Sequence, residues 1–504
     1  MSAVPGLTAP DAAADLAVTG VTLDSRAVQP GDLYAALPGA RTHGATFAAQ
    51  AAAAGAVAVL TDPGGRERAE AAGLPVLLHT GPRAVLGAVS ATVYGDPAAD
   101  LLLLGVTGTN GKTTTAYLLE AGLRAAGHAT GLVGTVETRI GDTVVPSVRT
   151  TPEAPDLQAL FAVMRERGVT AAAMEVSSHA LAQGRVDGAR FGVAAFTNLT
   201  QDHLDFHADM DDYFAAKARL FTPEHSAAGV VCVDDAYGER LATTAGVPVQ
   251  TASATDRPAD WRATDVEAGP RGSAFRVLGP GGVDVAARVG LPGAYNVANA
   301  LVAIATLAVA GVPVEAAVRG VGALPGVPGR MERVEAGQAA LAVVDYAHTP
   351  DAVTTLLQTL RPLTPGRLVV VLGCGGDRDR GKRPLMGAAA ARGADVAVLT
   401  SDNPRSEDPQ AILDAVVAGA REVPGSQVLV EADRRAAIEQ AVEGLAPGDT
   451  LAVAGKGHEQ GQEVAGEVRP FDDRVVLAEV LRAALLRGAV AVAAPTPQPE
   501  AATA

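Results

Sequence analysis

Cysteine is scarce in this chain, with only Cys232 and Cys374 among 504 residues. Two cysteines exclude a disulfide framework and a cysteine metal site, and they are typical of a protein in a reducing compartment. Long apolar runs are also lacking. The most membrane-like stretch, residues 301–314, is interrupted by Pro313 and is shorter than the roughly 18–20 residues of a membrane span. We expect a buried helix there, and no signal peptide at the N-terminus.

Basic residues are outnumbered, with 40 Lys and Arg against 56 Asp and Glu, which leaves a net charge of −16. This balance argues against general binding to nucleic acid or to an anionic membrane, so a phosphorylated ligand must be bound by local sites. Apolar residues make up 48% of the chain and charged residues 19%, as in folded globular domains. The length predicts about three domains of roughly 150 residues each.

The order of apolar runs and turn clusters predicts an α/β protein. A small α/β unit is expected over residues 1–100, and a central unit with a parallel sheet over 101–330. Glycine and proline are concentrated at 322–334, where we place a boundary. Residues 331–490 repeat an apolar strand that ends in a polar loop, which predicts a Rossmann-like unit. The Pro/Ala-rich tail, 491–504, is expected to be disordered.

A glycine loop joins a buried strand to an amphipathic helix and reads GTNGKT, residues 108–113. In this context the backbone N–H groups and the helix N-terminus bind phosphate, Lys112 adds a cation, and the Thr113 hydroxyl is available to Mg²⁺. The motif departs from the standard phosphate loop because Val106 replaces a glycine. The pattern predicts ATP or GTP binding; a glycine-rich turn with an exposed lysine is the alternative.

Two later strands end in polar clusters that contain carboxylates and histidines. MEVSSH (174–179) carries Glu175, and TNLTQDHLDFH (197–207) carries Asp202 and His203. Each cluster alone is typical of a solvated strand end, but two of them after a phosphate loop favour a metal site. Oxygen ligands with an imidazole suit Mg²⁺ or Mn²⁺.

Taken together, the motifs resemble those of the Mur ligases of peptidoglycan synthesis. The similarity is carried by GTNGKTT, TTP, EVSSH, TNLTQDHLDFH, YFAAKARLF, YNVANA, DYAHTPDA and AGKGHE, in this order. It implies a UDP-sugar domain, a central ATPase domain and a C-terminal Rossmann-like domain. It also implies ATP-dependent amide ligation through an acyl phosphate, with Mg²⁺. The closest branch adds diaminopimelate to UDP-N-acetylmuramoyl-alanyl-glutamate.

The resemblance assigns residues to ATP and to metal. The ATP-binding residues it implies are Gly108, Thr109, Asn110, Gly111, Lys112, Thr113, Thr114, Asn296, Asn299, Arg330 and Asp345, with His348 in the same loop as Asp345. The implied metal ligands are Thr113, Glu175, His203 and Lys217, and the implied catalytic residues are Lys112, Lys217 and His203. By periodicity alone Lys217 is a surface lysine on an amphipathic helix; the resemblance makes it a carbamylated metal ligand.

The resemblance also assigns the substrate sites. Those for the UDP-muramoyl-dipeptide are Leu23, Ser25, Thr42, His43, Gly44, Thr150, Thr151, Ser177, Gln183 and Arg185. Those for diaminopimelate are Arg378, Asp402, Asn403, Pro404, Arg405, Gly455 and Glu459. The planar fork of Arg405 suits a carboxylate, so the stretch DNPR, residues 402–405, predicts diaminopimelate over lysine, which has no distal carboxylate. A plain turn with a solvated arginine is the alternative.

Other readings stay open at this point. One is another ligase of the superfamily, adding lysine or resembling folylpolyglutamate synthase, and another is a nucleotide switch that makes no amide. The sequence leaves the LL or meso form of diaminopimelate undecided. By the resemblance we expect a cytoplasmic monomer that acts on small molecules and binds neither nucleic acid nor membrane.

Overall fold

Three sheets of mainly parallel strands organise the computed structural model, which describes residues 4–11, 16–145, 147 and 149–493. Of the predicted tail, 494–504 lies outside these residues. Residues 491–493, the first of the predicted tail, are hydrogen-bonded. The N–H of Ala339 donates to the carbonyl of Ala491, and the N–H of Ala493 donates to the carbonyl of Gly337. Within the described ranges no helix is long and apolar enough to cross a membrane.

The N-terminal sheet has four parallel strands in the order β1-β2-β3-β4. They are β1 (Gly20–Thr22), β2 (Asp32–Ala35), β3 (Ala58–Thr61) and β4 (Val76–Leu78), with helices α1 (Ala48–Ala54), α2 (Arg66–Ala71) and α3 (Pro82–Tyr94). The strands are short and apolar, and their side chains form two small cores, one on each face. Burial of both faces is the reason why they read as continuous apolar runs.

The central sheet has eleven strands in the order β15-β14-β13-β12-β11-β10-β5-β9-β6-β7-β8. The strands are β5 (Leu102–Thr107), β6 (Thr130–Val133), β7 (Thr138–Ile140), β8 (Thr143–Val145), β9 (Ala171–Glu175), β10 (Phe191–Phe196), β11 (Ser226–Cys232), β12 (Val249–Ser253), β13 (Trp261–Gly269), β14 (Gly272–Gly279) and β15 (Val283–Val289). The helices are α4 (Lys112–Ala125), α5 (Ala154–Glu166), α6 (Ser178–Ala182), α7 (Met210–Ala218), α8 (Ala236–Thr244), α9 (Ala294–Val309) and α10 (Val314–Ala323). Strands β9, β5 and β10 are parallel neighbours, so their carboxyl ends meet at one edge.

The C-terminal sheet has six strands in the order β16-β17-β21-β18-β19-β20, and only the β16–β17 pair is antiparallel. The strands are β16 (Glu332–Arg333), β17 (Leu341–Asp345), β18 (Leu368–Cys374), β19 (Val396–Ser401), β20 (Gln427–Val430) and β21 (Thr450–Ala454), followed by a hairpin of β22 (Gly461–Val464) and β23 (Glu467–Pro470). The helices are α11 (Pro350–Leu360), α12 (Lys382–Gly393), α13 (Pro409–Arg421), α14 (Arg434–Val442) and α15 (Asp473–Leu486). Five adjacent parallel strands, β17, β21, β18, β19 and β20, therefore present their following loops at one edge.

The predicted α/β class is confirmed, and residues 301–309 belong to the buried helix α9. By density of contacts the chain divides into two units, one with most residues up to Leu324 and the other with most residues from Pro325 onward. The N-terminal sheet and most of the central sheet belong to the first unit, whereas residues 267–274 and 289–294, which include the ends of β13, β14 and β15, belong to the second. The domain boundaries expected from the sequence, at about 100 and 330, stay predictions.

Candidate active site

The phosphate loop lies between β5 and α4, and glycine is required at two of its positions. Gly108 has φ of +150° and Gly111 has φ of +84°. A Cβ atom on Gly108 would lie 2.0 Å from Oγ1 of Thr197, and one on Gly111 would lie 2.3 Å from Oδ1 of Asn299. Both distances are far shorter than any real contact, so the loop backbone packs directly against polar side chains.

Residues after β10 hold the loop in place. The N–H of Asn110 donates to Oδ1 of Asn198 at 2.9 Å, and the Thr197 hydroxyl donates to the carbonyl of Asn110 at 2.6 Å. The N–H of Thr109 donates to the carbonyl of Asn198. Sequence analysis did not assign Thr197 or Asn198, although both are in the polar cluster that it noted after this strand.

Two lysines share one acceptor in the loop. Nζ of Lys112 donates to the carbonyl oxygens of Gly108 at 3.0 Å and Thr109 at 2.8 Å, and Nζ of Lys217 donates to Gly108 at 2.8 Å. The side chain of Lys217 is buried, so the surface position expected from periodicity is wrong. Its face of α7 packs on the loop, and its Nζ lies 4.6 Å from the centre of the Tyr213 ring. Burial, and then the charge of Lys112, hold the pKa of Lys217 well below its ordinary value.

Glu175 is the buried carboxylate of this site. Its Oε2 accepts hydrogen bonds from the hydroxyls of Thr113 at 3.0 Å and Thr135 at 3.1 Å, and its Oε1 accepts from the N–H of Thr135 at 2.7 Å. The structure therefore brings two predicted metal ligands, Thr113 and Glu175, into contact. Among the described residues no group of three or more His, Cys, Asp or Glu side chains could hold a metal ion. A metal here would depend on hydroxyl and phosphate oxygens as well.

Three histidines cluster beside the loop. The rings of His179 and His203 are 4.9 Å apart, and burial followed by the two neighbouring imidazoles lowers the pKa of His179 to about 4. Burial is also the main cause of the lowered pKa of His203, which has φ of +55°. The third, His207, bonds Ser178 at 3.0 Å and Asp212 at 3.1 Å, and thus links α6 to α7. The neutral imidazole is therefore favoured for His179 and His203.

The residues predicted for the muramoyl-peptide lie around Glu175. The hydroxyl of Thr151 donates to the backbone carbonyl of Glu175 at 2.9 Å and accepts from the N–H of Ser177 at 3.1 Å. Thr150 bonds the Thr135 hydroxyl at 2.9 Å. Arg185 joins this group, because its guanidinium donates to the backbone carbonyl of Thr151 at 3.2 Å and to Oε1 of Gln183 at 2.7 Å, and it pairs with Glu153. These side chains therefore form one network with the buried carboxylate.

The N-terminal residues predicted for the nucleotide form a separate group on the first sheet. Nε2 of His43 lies 2.9 Å from Oδ1 of Asp62, and Nδ1 accepts from the N–H of Ala45, so the imidazole is fixed at both nitrogens. The hydroxyl of Ser25 bonds Gln50 at 3.3 Å. Leu23 is half-buried, Thr42 is exposed, and the carbonyl of Gly44 accepts from the hydroxyl of Tyr34.

The predicted ATP residues outside the loop lie partly on α9 and partly in the C-terminal unit. Asn296 and Asn299 are buried, and Nδ2 of Asn299 donates to Oδ1 of Asn296 at 3.1 Å. Thr114 is buried on α4. In the C-terminal unit, Asp345 accepts from the N–H groups of Met331 and Ala347, and burial raises its pKa.

Aromatic residues line the loop after β17. The guanidinium of Arg330 lies over the Tyr346 ring at 4.4 Å, and the ring of His348 lies 4.5 Å from that of Tyr346. Nζ of Lys382 donates to the carbonyl of His348 at 3.0 Å. Tyr346 was not predicted as a site residue, although it lies in the motif DYAHTPDA.

The DNPR loop follows β19, and its conformation differs from a simple turn. Arg405 has φ of +53°, and its NH1 donates to the carbonyl of Gly376 at 2.6 Å. Its backbone N–H donates to the carbonyl of Glu463, and the N–H of Ala465 donates back to its carbonyl. The arginine is half-buried rather than solvated. The strained backbone and the guanidinium contact both indicate a defined position for this side chain.

The remaining residues predicted for diaminopimelate lie on neighbouring loops of the same sheet. Nδ2 of Asn403 donates to Oε2 of Glu459 at 2.7 Å, and a Cβ atom on Gly455 would lie 2.7 Å from Oδ2 of Asp402. Pro404 is buried, whereas Arg378 is exposed and donates to the carbonyl of Asp377. The acidic neighbours of Arg405 anchor the loop: Glu407 pairs with Arg383, and Asp408 caps α13. Sequence analysis did not assign Lys456, which lies among these residues.

Three family descriptions match this chain: "Mur ligase family, catalytic domain" over residues 17–94, "Mur ligase middle domain" over 106–307, and "Mur ligase, glutamate ligase domain" over 329–457. The chain is 63% identical over 472 residues to the UDP-N-acetylmuramoyl-L-alanyl-D-glutamate–2,6-diaminopimelate ligase of Streptomyces avermitilis, covering 93% of each chain. It is 52% identical over 486 residues to the ligase of the same name from Corynebacterium glutamicum, covering 94% of this chain and 93% of the other.

Solved structures agree with this similarity. A structure of a UDP-N-acetylmuramoyl-L-alanyl-D-glutamate–2,6-diaminopimelate ligase is 35% identical, with a TM-score of 0.67 and coverage of 92% of this chain and 95% of the other. The MurF ligase of Thermotoga maritima in complex with ADP is 17% identical, with a TM-score of 0.64 and coverage of 94% and 100%. At that identity the second similarity concerns the fold alone.

Proposed function

The chain belongs to the Mur ligase family, and from this we propose that it is an ATP-dependent ligase that adds diaminopimelate to UDP-N-acetylmuramoyl-L-alanyl-D-glutamate. The observation that carries the proposal is the near-full-length similarity to ligases named for this reaction. The reaction belongs to peptidoglycan precursor synthesis. The three-domain α/β architecture is that of the family.

The reaction needs an activated carboxylate. An oxygen of the substrate carboxylate attacks the γ-phosphorus of ATP. The bond between this phosphorus and the bridging oxygen to the β-phosphate breaks, ADP departs, and the substrate becomes an acyl phosphate. The amine of diaminopimelate then attacks the acyl carbon, loses a proton, and expels inorganic phosphate to form the amide. The positions of Thr150, Thr151 and Ser177 around Glu175 support the first step, because they would hold the carboxylate beside the phosphate loop.

The loop residues have separate roles in the first step. We infer that the backbone N–H groups of 108–113 and the ammonium of Lys112 hold the β- and γ-phosphates. Two lysine side chains on one carbonyl oxygen repel each other unless negative charge is close, so bound phosphates would relieve that repulsion. Asn296 and Asn299 are proposed for adenine, Arg330 for phosphate and Asp345 for the ribose.

Magnesium fits the donor set beside the loop. The Thr113 hydroxyl and the Glu175 carboxylate are hard oxygen donors 3.0 Å apart, which is the chemistry that Mg²⁺ prefers. When bound, Mg²⁺ would neutralise charge on the transferring phosphoryl group. We propose Thr113 and Glu175 as ligands, with His203 and the carbamate of Lys217 as further ligands.

Lys217 is suited to carbamylation by its position. A neutral amine attacks carbon dioxide, the new N–C bond forms, and one proton is released. Burial and the neighbouring Lys112 lower the pKa of Lys217, so the neutral amine is accessible in this site. At present the ammonium of Lys217 donates to the carbonyl of Gly108. Carbamylation would put two oxygens in its place, which could accept from Lys112 or bind a metal.

For the second step we propose that the DNPR loop selects the amine. Arg405 would bind the distal carboxylate of diaminopimelate, and Asp402 and Glu459 the distal ammonium, with Arg378, Asn403, Pro404 and Gly455 completing the site. Support comes from the defined position of Arg405 and from the Asn403–Glu459 hydrogen bond. The UDP-muramoyl end is assigned to Leu23, Ser25, Thr42, His43 and Gly44, and the peptide end to Thr150, Thr151, Ser177, Gln183 and Arg185.

The test is amide formation with defined amines. Purified protein is incubated with ATP, Mg²⁺ and UDP-N-acetylmuramoyl-L-alanyl-D-glutamate, plus meso-diaminopimelate, LL-diaminopimelate or lysine; phosphate release and product mass are measured. Ligation of one diaminopimelate isomer but not lysine is expected. Equal use of lysine would overturn the role of Arg405, and ADP formation without an amide would favour a nucleotide switch. Glu175→Gln, which keeps shape but removes the charge, serves as the inactive control.

The partners that follow are small molecules. We infer that the protein works in the cytoplasm as a monomer, without nucleic acid or membrane, in keeping with its net charge of −16. Light scattering on the purified protein tests the monomer, and a dimer mass would refute it.

A further inference from the structure

Lysine is rare in this chain, and two of its lysines, Lys382 and Lys456, have no role so far. Of 40 basic residues only four are lysines, Lys112, Lys217, Lys382 and Lys456, and the other 36 are arginines. Lys456 follows β21, and its side chain is 0% exposed. In a chain that otherwise uses arginine, a fully buried lysine indicates a requirement for a compact ammonium group.

The ammonium of Lys456 joins three segments of the C-terminal unit. Its Nζ donates to the carbonyl of Gly461 at 2.6 Å, at the start of β22, and to Oδ1 of Asn403 at 3.1 Å in the DNPR loop. It also lies 3.4 Å from Oε2 of Glu459 and 3.6 Å from Oδ1 of Asp402. One buried charge therefore contacts all three of the polar side chains Asp402, Asn403 and Glu459.

These contacts determine the orientation of the Asn403 amide. Its Oδ1 accepts from Lys456 and also from the N–H of Glu463 at 3.0 Å. Two donors on one side leave the NH₂ group on the other side, where it donates to Oε2 of Glu459. Oε2 is thus occupied by two partners, whereas Oε1 accepts no hydrogen bond from the part of the chain that the structure describes. The free oxygen of Glu459 is available to a ligand.

The charges around Lys456 do not balance, since the nearby Arg434 is paired with Asp473 and Arg405 lies 3.8 Å from Glu463. Two carboxylates, those of Asp402 and Glu459, face one ammonium, which leaves one negative charge to be compensated. A ligand with a single ammonium group would neutralise it, while the neighbouring Arg405 takes a carboxylate. Without Lys456, two like charges would repel each other and Asn403 would lose the donor that orients it.

We propose that Lys456 is a positioning residue for the amine substrate: it fixes Asn403 and Glu459 and leaves one negative charge for the ligand's distal ammonium. This rests on the proposed function, since the ligand is taken to be diaminopimelate. In this role Lys456 acts through Asn403 and Glu459. Its effect is therefore expected in the affinity for the amine rather than in the use of ATP.

The experiment compares Lys456→Met with Lys456→Arg and with a matched control. Arg367→Met removes hydrogen bonds to Asp449 and to the carbonyl of Gly444. Arg367 and Asp449 directly precede β18 and β21, so this variant perturbs the same sheet at the end of these strands that is remote from the DNPR loop. Steady-state ligation gives KM for diaminopimelate, ATP and the UDP-substrate, and thermal unfolding gives Tm. Binding of diaminopimelate is also measured by calorimetry on each folded variant, so that a readout without turnover is available.

We expect Lys456→Met to raise KM for diaminopimelate about 10- to 100-fold, the loss of a charged hydrogen bond, with KM for ATP unchanged. Lys456→Arg should recover part of this loss, because it restores the charge but not the shape. The proposal would be overturned if Lys456→Met had the wild-type KM for diaminopimelate. It would also be overturned if Lys456→Met raised KM equally for all three substrates and by the same factor as Arg367→Met. If the wild-type protein ligates no diaminopimelate, the proposed function fails instead, and the two failures are distinct.

Discussion

The buried ion pair of Arg434 and Asp473 allows a quantitative prediction that links stability to the amine site. Both side chains are 0% exposed, and the guanidinium makes two bonds to the carboxylate, at 2.8 and 2.7 Å. The same guanidinium donates to the carbonyls of Ser401 at 3.2 Å and Ala454 at 2.9 Å. These are the last residues of β19 and β21, directly before Asp402 and Gly455.

Replacement of Arg434 by Met leaves a buried carboxylate and two carbonyls without their donor. Removing one partner of a buried pair costs about 3–5 kcal/mol in the free energy of unfolding. For a unit of this size each kcal/mol lowers Tm by roughly 2–4 °C, so we expect a decrease of about 10 °C. We also expect KM for diaminopimelate to rise, because both loops lose an anchor at the strand residue directly before them.

The adjacent residue provides the control. Arg435 pairs with Glu479, so it joins the same two helices, α14 and α15, but these side chains are 45% and 50% exposed. An exposed pair contributes less than about 1 kcal/mol, so Arg435→Met should be nearly silent. Urea unfolding followed by circular dichroism measures both variants.

A double variant separates stability from positioning. Arg434→Met with Asp473→Leu replaces the pair by apolar side chains, which often restores stability. The carbonyls of Ser401 and Ala454 still lack their donor, so KM should stay high. The reasoning is refuted if Arg434→Met is no less stable than Arg435→Met, or if the double variant recovers wild-type KM.

Three further predictions concern single positions. Gly111→Ala should raise KM for ATP at least about 10-fold, because the new Cβ meets Asn299 at 2.3 Å and φ is +84°; phosphate release measures it, and wild-type kinetics would contradict it. Because the pKa of Lys217 is lowered in the folded protein, its amine is neutral above that pKa and becomes protonated as the pH falls, so carbamylation should decrease at low pH. Native mass spectrometry detects the added mass of one carbon dioxide, and an added mass that does not change with pH would contradict the prediction. Arg405→Met should raise KM for diaminopimelate about 10- to 100-fold without impairing any use of lysine. An equal effect on both amines would show that the guanidinium does not select diaminopimelate.

Local patterns predicted much of the fold and the composition of the site. The α/β class, the strand–loop–helix of GTNGKT and the polar strand ends follow from hydrophobic periodicity and glycine spacing, which are properties of neighbouring residues. The resemblance to the Mur ligases then assigned roles, and the family is confirmed by the comparisons. The individual site assignments stay predictions.

Periodicity was wrong for Lys217, and the reason is physical. A helix with one lysine among alanines and aromatics looks amphipathic, with the charge outward, but α7 turns that face onto the phosphate loop. Tyr213, one turn earlier, bonds Thr109, and the i, i+4 spacing to Lys217 was the available signal. Nothing in the spacing of Lys456 indicated its burial.

The sequence by itself determined where each strand ends and which chemistry stands there, because burial of a parallel strand and the polarity of its loop are local requirements. Only the tertiary structure decided which loops meet. Strand order places β9, β5 and β10 side by side and so joins Glu175, Thr113 and the residues after Phe196. In the second unit the order β17-β21-β18-β19 does the same for Lys456 and Asn403, which are 53 residues apart. Contacts between such distant residues depend on sheet topology, which no short stretch of the chain encodes.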